Sequence, residues 1–301
     1  MRTWQCVFAA LCVVLFCTAA SGSSEGPSGN SGQQAYVNSI GMEFVLIPSG
    51  SFPIVTAWDE NDEATFVSKA IVSKAFYLGK YPVTQREWQA VMGKGKNPSK
   101  FKGSTRPVEQ ISWDGVQEFI KRLNRKEGHT RYRLPTEMEW ELAARGGTEG
   151  RYFFVKTPMS HIEIRELLVD YAWFADNSGV SATEMEKILV DHALHTKNGN
   201  DCECGIPDGA TRPVGKKKPN PYGLYDVYGN VWECVQDFYG PLPTEPELTN
   251  YRGPMTGNAH VMRGGSWEDG AEFCRSDFRE RSTLEDFSND YVGFRLALSK
   301  E

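Results

Sequence analysis

The residues of this chain best suited to chemistry are metal donors, and they fall in three places. Cys274 stands alone among acids and aromatics in "VMRGGSWEDGAEFCRSDFRERSTLEDFSNDYVGFRLALSK" (261–300). In "GLYDVYGNVWE" (223–233), Asp226 and Glu233 offer hard carboxylate oxygens, and Gly229 lets the chain between them curl so that backbone carbonyls point inward. Calcium prefers such a set, whereas a plain turn would use Asp226 only to accept backbone N–H bonds. In "HALHTKNGNDCEC" (192–204), His192 and His195 precede Cys202 and Cys204. Four soft donors of that kind suit zinc; the expectation is instead a surface insertion carrying a disulfide. Ser266 in "RGGSW" lacks a strand-to-helix setting and an evident histidine partner, so it reads as a turn or strand residue and not a nucleophile. Phosphate-cradling loops, metalloprotease helices and Gly-x-Ser-x-Gly elbows are missing.

Whole-chain properties narrow the partners. The 301 residues carry 33 Lys and Arg against 39 Asp and Glu, for a net charge of -6. Apart from "GKKKP" (215–219) the lysines are scattered, so there is no basic stripe for a phosphate backbone and nucleic acid is not an expected partner. Residues 1–20 read as an export signal: Arg2 precedes an apolar run from Cys6 to Ala20 that is too short to span a bilayer. Cleavage would follow Ala19 or Ala20, or Cys17 would be lipidated, which is the one membrane attachment expected. Residues 21–35 are a Ser/Gly-rich tether with almost nothing to bury. The mature protein belongs in the periplasm or at the cell surface, and its four remaining cysteines sit where disulfides are permitted.

The elements that must position these groups are legible at several helix starts. Thr84 with Glu87 forms a capping box, Val83 is placed to staple onto Trp88, and Gly93 ends the helix. Val116, Phe119, Ile120 and Leu123 repeat at i, i+3, i+4, i+7, which predicts one buried helical face. Thr136 with Glu139 repeats the box, and Gly146 ends that helix. Ser160 with Glu163 and Ser181 with Glu184 are two further box-like starts. The last third is rich in Gly, Trp and short β-like runs. The outcome is a single α+β domain at 36–301, rich in loops.

In order and spacing, "GMEFVLIPSGSF" (41–52), "YPVTQREWQAVMG" (81–93), "RPVEQISWDGVQEFIKRLN" (106–124), "YRLPTEMEWELAARGG" (132–147), "NPYGLYDVYGNVWECVQDFYG" (220–240), "VMRGGSW" (261–267), "CRSDFRE" (274–280) and "VGFRLAL" (292–298) resemble the successive signatures of the formylglycine-generating enzyme, or sulfatase-modifying factor, family. The resemblance implies that family's version of the C-type lectin fold, with a small twisted antiparallel sheet, several short helices and termini close together. An insertion at about 155–210 departs from the pattern. The resemblance also implies a structural calcium held by Asp226 and Glu233 through side chains and by Gly229 and Val231 through carbonyls, fixing the loop that carries Trp232.

Catalytic members oxidise a sulfatase cysteine to formylglycine with oxygen and copper(I) held by two cysteine thiolates five residues apart. Aligned on "RGGSW", the second of these is Cys274 and the first falls on Asp269. A carboxylate is a hard ligand, poorly matched to copper(I). Cys274 then reads as a buried small hydrophobe or half of a disulfide with Cys234, which stands where relatives usually have tryptophan. The expected function is therefore an exported, non-catalytic protein that binds an unidentified protein or glycan through segment 266–291, with Trp267, Glu268, Asp269, Glu272, Phe273, Asp277, Phe278, Asp286, Phe287 and Tyr291 as ligand-binding residues. One branch of the family, the variable proteins of diversity-generating retroelements, diversifies a segment of this kind. The alternative is an active formylglycine-generating oxidase in which Cys274 is catalytic and copper is the cofactor. On the export reading, protein from its native host should lack at least residues 1–16 by intact mass; retention of Met1 would contradict it.

Overall fold

The computed structural model describes residues 35–58, 64–179, 209–283 and 289–300. The export signal and nearly all of the tether, the Ser181 helix start, the donors His192, His195, Cys202 and Cys204, and the site candidates Asp286 and Phe287 lie outside the described residues.

Twelve strands and four α-helices are described, as expected of an α+β chain, but they form three sheets where the sequence led us to expect one small antiparallel sheet. In the five-stranded sheet β1 (Ala35–Val37), β2 (Glu43–Ile47), β5 (Phe76–Gly79), β12 (Ala297–Ser299) and β6 (Tyr132–Arg133) are neighbours in that order, so the first and last described strands share one sheet. The three-stranded sheet is a hairpin of β3 (Gly50–Trp58) and β4 (Ala64–Val72) with β8 (Glu247–Thr249) added in parallel. The four-stranded sheet, in the order β10 (Glu280–Thr283), β9 (Ala259–Arg263), β7 (Trp232–Phe238) and β11 (Val292–Phe294), also contains a parallel pair, β7 with β11. A parallel neighbour requires a long crossover. Between β7 and β11 that crossover contains the whole segment 264–279, which is therefore suspended from one sheet at both ends.

The helices follow the caps. α1 (Gln85–Met92) has the full capping box of Thr84 and Glu87, and Val83 and Trp88 are buried in one cluster as the staple requires. α2 (Trp113–Glu127) buries Val116, Phe119, Ile120 and Leu123 and ends on left-handed Gly128. α3 (Glu137–Arg145) is boxed by Thr136 and Glu139 and ends on left-handed Gly146. α4 (His161–Leu168), boxed by Ser160 and Glu163, belongs to the expected insertion, yet its last residue Leu168, and Ala172 and Phe174 just beyond it, are fully buried in the main core.

α3 buries more charge than the other described helices. Glu137, Glu141 and Arg145, one turn apart, are all buried. Glu137 accepts from Arg263 Nη1 at 3.2 Å and from Arg279 Nε at 2.5 Å. Glu141 accepts from Arg263 Nη2 at 2.5 Å and from Arg145 Nη2 at 2.7 Å. The result is an alternating ladder, Arg279–Glu137–Arg263–Glu141–Arg145, joining α3 to β9 and to the approach to β10. Arg145 extends it to the carbonyls of Glu149, Gly150 and Pro53.

Beside this ladder, Asp237 on β7 accepts from the Glu137 backbone N–H at 2.9 Å through one oxygen, while its other oxygen is buried without a partner among the described residues. Burial first, and the charge of Glu137 second, push its carboxyl up to about 7. An unfolded aspartate titrates near ~3.9, so the folded state binds the extra proton between these values. The contribution of Asp237 to stability is thus complete below about pH 4 and is lost as pH rises through 7, at up to about 1.4 kcal/mol per pH unit. Asp237→Asn should flatten this loss and be at least as stable as the parent at about pH 8, read by urea unfolding across the range; an Asn variant that is less stable at alkaline pH would overturn the assignment.

Candidate functional site

The segment expected to carry function begins where β9 ends. Gly265, at φ 73°, is followed by Ser266, whose N–H and hydroxyl both donate to Asp269 Oδ2. Asp269 is therefore committed to closing its own turn. Its backbone carbonyl accepts from Ala175 N–H at 2.9 Å, tying the turn to the stretch after α4. A side chain at Gly265 would run into Cys274 Sγ at 2.7 Å; the left-handed glycine and the cysteine behind it are packed against each other. A short 3₁₀ turn, Ala271–Phe273, then delivers Cys274 into the core.

Cys274 is completely buried, and burial, followed by the charges of Asp269 and Glu272, pushes its thiol well above the usual range. The thiolate that binds copper(I) is thereby disfavoured. With a hard carboxylate as the only group at the partner position, and one of its oxygens bonded to Ser266, these residues do not fit a copper(I) site. Cys234 is likewise buried with its thiol raised, by burial and then by Glu233. Both are free cysteines in different core clusters, so the Cys234–Cys274 disulfide gives way to the other expectation, two small buried hydrophobes.

The calcium expectation meets a different obstacle. Arg295, fully buried, donates Nε and Nη2 to Glu233 Oε1 at 3.0 and 2.7 Å, and Nε to Oε2 at 2.9 Å. Trp140 Nε1 fills the remaining position on Oε2 at 2.7 Å. Both carboxylate oxygens are saturated, and their charge is met by a guanidinium. Arg295 also takes the carbonyls of Gly79, Tyr225 and Asp226. The Gly229 carbonyl accepts from Val231 N–H at 2.9 Å, and Asp226 Oδ2 from Gly215 N–H at 2.7 Å. Asp226, Gly229, Val231 and Glu233 thus frame the loop around Arg295 and do not, as placed, fit calcium. Left-handed Gly229 is required for another reason, because a side chain there would strike the Trp173 carbonyl.

Of the ten ligand-binding candidates, the eight described ones separate into groups. Phe273, Phe278 and Tyr291 are half-buried and pack on one cluster floored by Trp232, Cys234, Met262 and Val292. Phe278 meets Phe273 edge-on at 5.0 Å and Trp232 at 6.0 Å. Glu268 and Glu272 are exposed. Partial burial, then repulsion from Asp269 and Asp290, raises the Glu268 carboxyl. Trp267 turns elsewhere: it meets Phe101 edge-on at 5.4 Å and donates Nε1 to the Asp290 carbonyl at 3.2 Å, which makes it a brace. Asp277 is held by Arg275 at 2.9 Å and Arg151 at 3.3 Å.

Sequence reasoning missed Trp113, which joins the same aromatic cluster and stacks on His260 at 3.6 Å. Its signal was available: it is an aromatic at the first position of α2, three residues before Val116 at the edge of the buried stripe.

Residues 33–300 match the model of the sulfatase-modifying factor enzyme 1-like domain. The chain is 28% identical to chaperone protein LppX of Paenibacillus barcinonensis over 89% of each. It is 31% identical to the formylglycine-generating enzyme of Streptomyces coelicolor over 64% of this chain and 52% of that protein, so it spans about half the length of that relative. Among solved structures, the Treponema denticola variable protein 1 superposes with a TM-score of 0.63 at 28% identity, covering 90% of this chain and all of that one.

Because Arg295 saturates Glu233, chelation should leave the melting temperature unchanged, whereas Arg295→Met should destabilise by roughly 3–5 kcal/mol through the uncompensated buried carboxylate. A melting temperature that falls in EDTA and recovers with calcium would overturn the first expectation and show that the folded chain binds calcium.

Proposed function

The chain belongs to the sulfatase-modifying factor enzyme 1-like family, and on that premise we propose that it is an exported, non-catalytic member that binds a protein or glycan through segment 266–291. The observation that carries the reading is the pair at the family's copper positions: Asp269 is folded onto Ser266, and Cys274 is buried with no second thiol at the partner position. Together they do not supply the paired soft sulfurs that copper(I) requires.

Recognition is supported by what replaces the chemistry. Trp113, Phe273, Phe278 and Tyr291 leave part of their rings at the surface over one hydrophobic floor, with Glu268 and Glu272 exposed in the same segment. Rigid aromatics give contact area at small entropic cost and are common interface anchors. The similarity to a protein called variable supports the finer reading that this segment is the diversified part of the chain. A near-copy of its coding sequence, altered at adenines and beside a reverse transcriptase gene, is the genomic signature of that arrangement.

A peptide containing Cys-x-Pro-x-Arg, incubated with the protein, copper(I) and oxygen, should keep its thiol, with no conversion to aldehyde by mass spectrometry. Formation of aldehyde that is lost in Cys274→Ser would replace this reading with the oxidase. Against a purified partner identified by glycan array or affinity capture, Phe273→Ala should weaken binding by roughly 2 kcal/mol. Glu272→Gln, on an exposed side chain, should change folding stability by no more than about 0.5 kcal/mol.

A further inference from the structure

Between the β3–β4 hairpin, the loop after β7 and the approach to β10 lies a cavity of about 600 Å³. Its charged lining is Arg151, Arg275 and Arg279 against Asp277 alone. Three guanidiniums therefore face one carboxylate.

Each arginine is placed differently. Arg279 gives Nε and Nη2 to Glu137 and Nη1 to the Gly240 carbonyl, so three of its five N–H donors are already engaged. It is also one end of the buried ladder, in which three arginines alternate with two glutamates. Arg275 gives Nε to Asp277 at 2.9 Å, and among the described residues its side chain donates no other hydrogen bond, which leaves its two terminal nitrogens for a ligand. A planar pair of donors of this kind matches a carboxylate. The rest of the lining includes Leu242 and Pro241 and the rings of Tyr239 and Phe278, over which Arg279 and Arg275 sit at 5.1 and 5.4 Å.

We propose that this cavity binds the carboxylate of an acidic sugar residue, with Arg275 as its charged partner and the Tyr239 side of the cavity receiving the apolar face of the ring. A bare phosphate or sulfate would need only the cations. The apolar half of the lining favours a ligand with a body, and the volume is of the order that encloses a small molecule, roughly 300–1,000 Å³. The site adjoins the surface at Phe273 and Tyr291 and shares Phe278 with it. It is read with a small ligand, so failure of partner capture there leaves it standing.

The probe is glucuronate, titrated into the full chain by calorimetry or ligand-observed NMR, with glucose as neutral control and inorganic sulfate as bodiless anion. Saturable glucuronate binding is expected, with glucose and sulfate weaker by about tenfold or more. Arg275→Gln should lower glucuronate affinity by about tenfold with an unchanged melting temperature. Tyr239→Ala, a second variant on a partly exposed ring, should also weaken it. No saturable glucuronate binding, equal binding of sulfate or of glucose, or full affinity in both variants would overturn the proposal.

Discussion

Removing a guanidinium from water is tolerable only where carboxylates and carbonyls replace the lost hydration, and this protein does so twice at its centre. In the ladder from Arg279 to Arg145, two glutamates of α3 are shared among three arginines drawn from β9, the approach to β10 and α3 itself. In the second arrangement, Arg295 between β11 and β12 neutralises Glu233 of β7 while also collecting three backbone carbonyls. Short strands with loops between them have few ladder hydrogen bonds to define their mutual placement. Buried ion pairs with fixed geometry supply that definition, because any other arrangement strands a charge.

The loop from 264 to 279 depends on both. Its start is fixed by Arg263 and its end by Arg279, both bonded to Glu137, and Arg263 Nη2 also takes the Ser276 carbonyl at 2.5 Å. The parallel partner β11 then returns Tyr291 beside Trp232, whose N–H donates to the Tyr291 carbonyl at 2.8 Å. What the loop displays can vary in chemistry while its anchors stay put. This is the logic by which one scaffold can carry an oxidising site in one protein and a binding surface in another. Here the same fixed ends hold Asp269, which closes a turn, and Cys274, which fills the space behind Gly265.

The electrostatics separate the two faces of this segment. On one side the carboxylates of Asp269 and Asp290 are close enough to help raise that of Glu268, whereas toward the cavity Arg151, Arg275 and Arg279 outnumber Asp277. A chain with a net charge of -6 thus presents a local cationic cavity beside an acidic aromatic surface. Net charge by itself would have pointed away from anionic ligands.

What the sequence by itself determined was local. The capping boxes at Thr84, Thr136 and Ser160, the stop at Gly146 and the buried stripe of α2 need only near neighbours, and all are present as read. The substitution of Asp269 for a soft donor was equally visible, since it concerns residue type. Tertiary structure decided the rest. The spacing of Glu137, Glu141 and Arg145 is that of a solvated ion-paired helix face, and only the approach of Arg263 and Arg279 from distant segments makes it a buried ladder. Asp226 and Glu233 had the chemistry of a calcium turn until Arg295, 62 residues beyond Glu233, took the charge. The five early strands have no helix-like caps to announce them, and two parallel pairings join segments far apart in the chain. Periodicity and caps report interactions a few residues apart; the desolvation of a charge is set by whatever the rest of the chain packs against it.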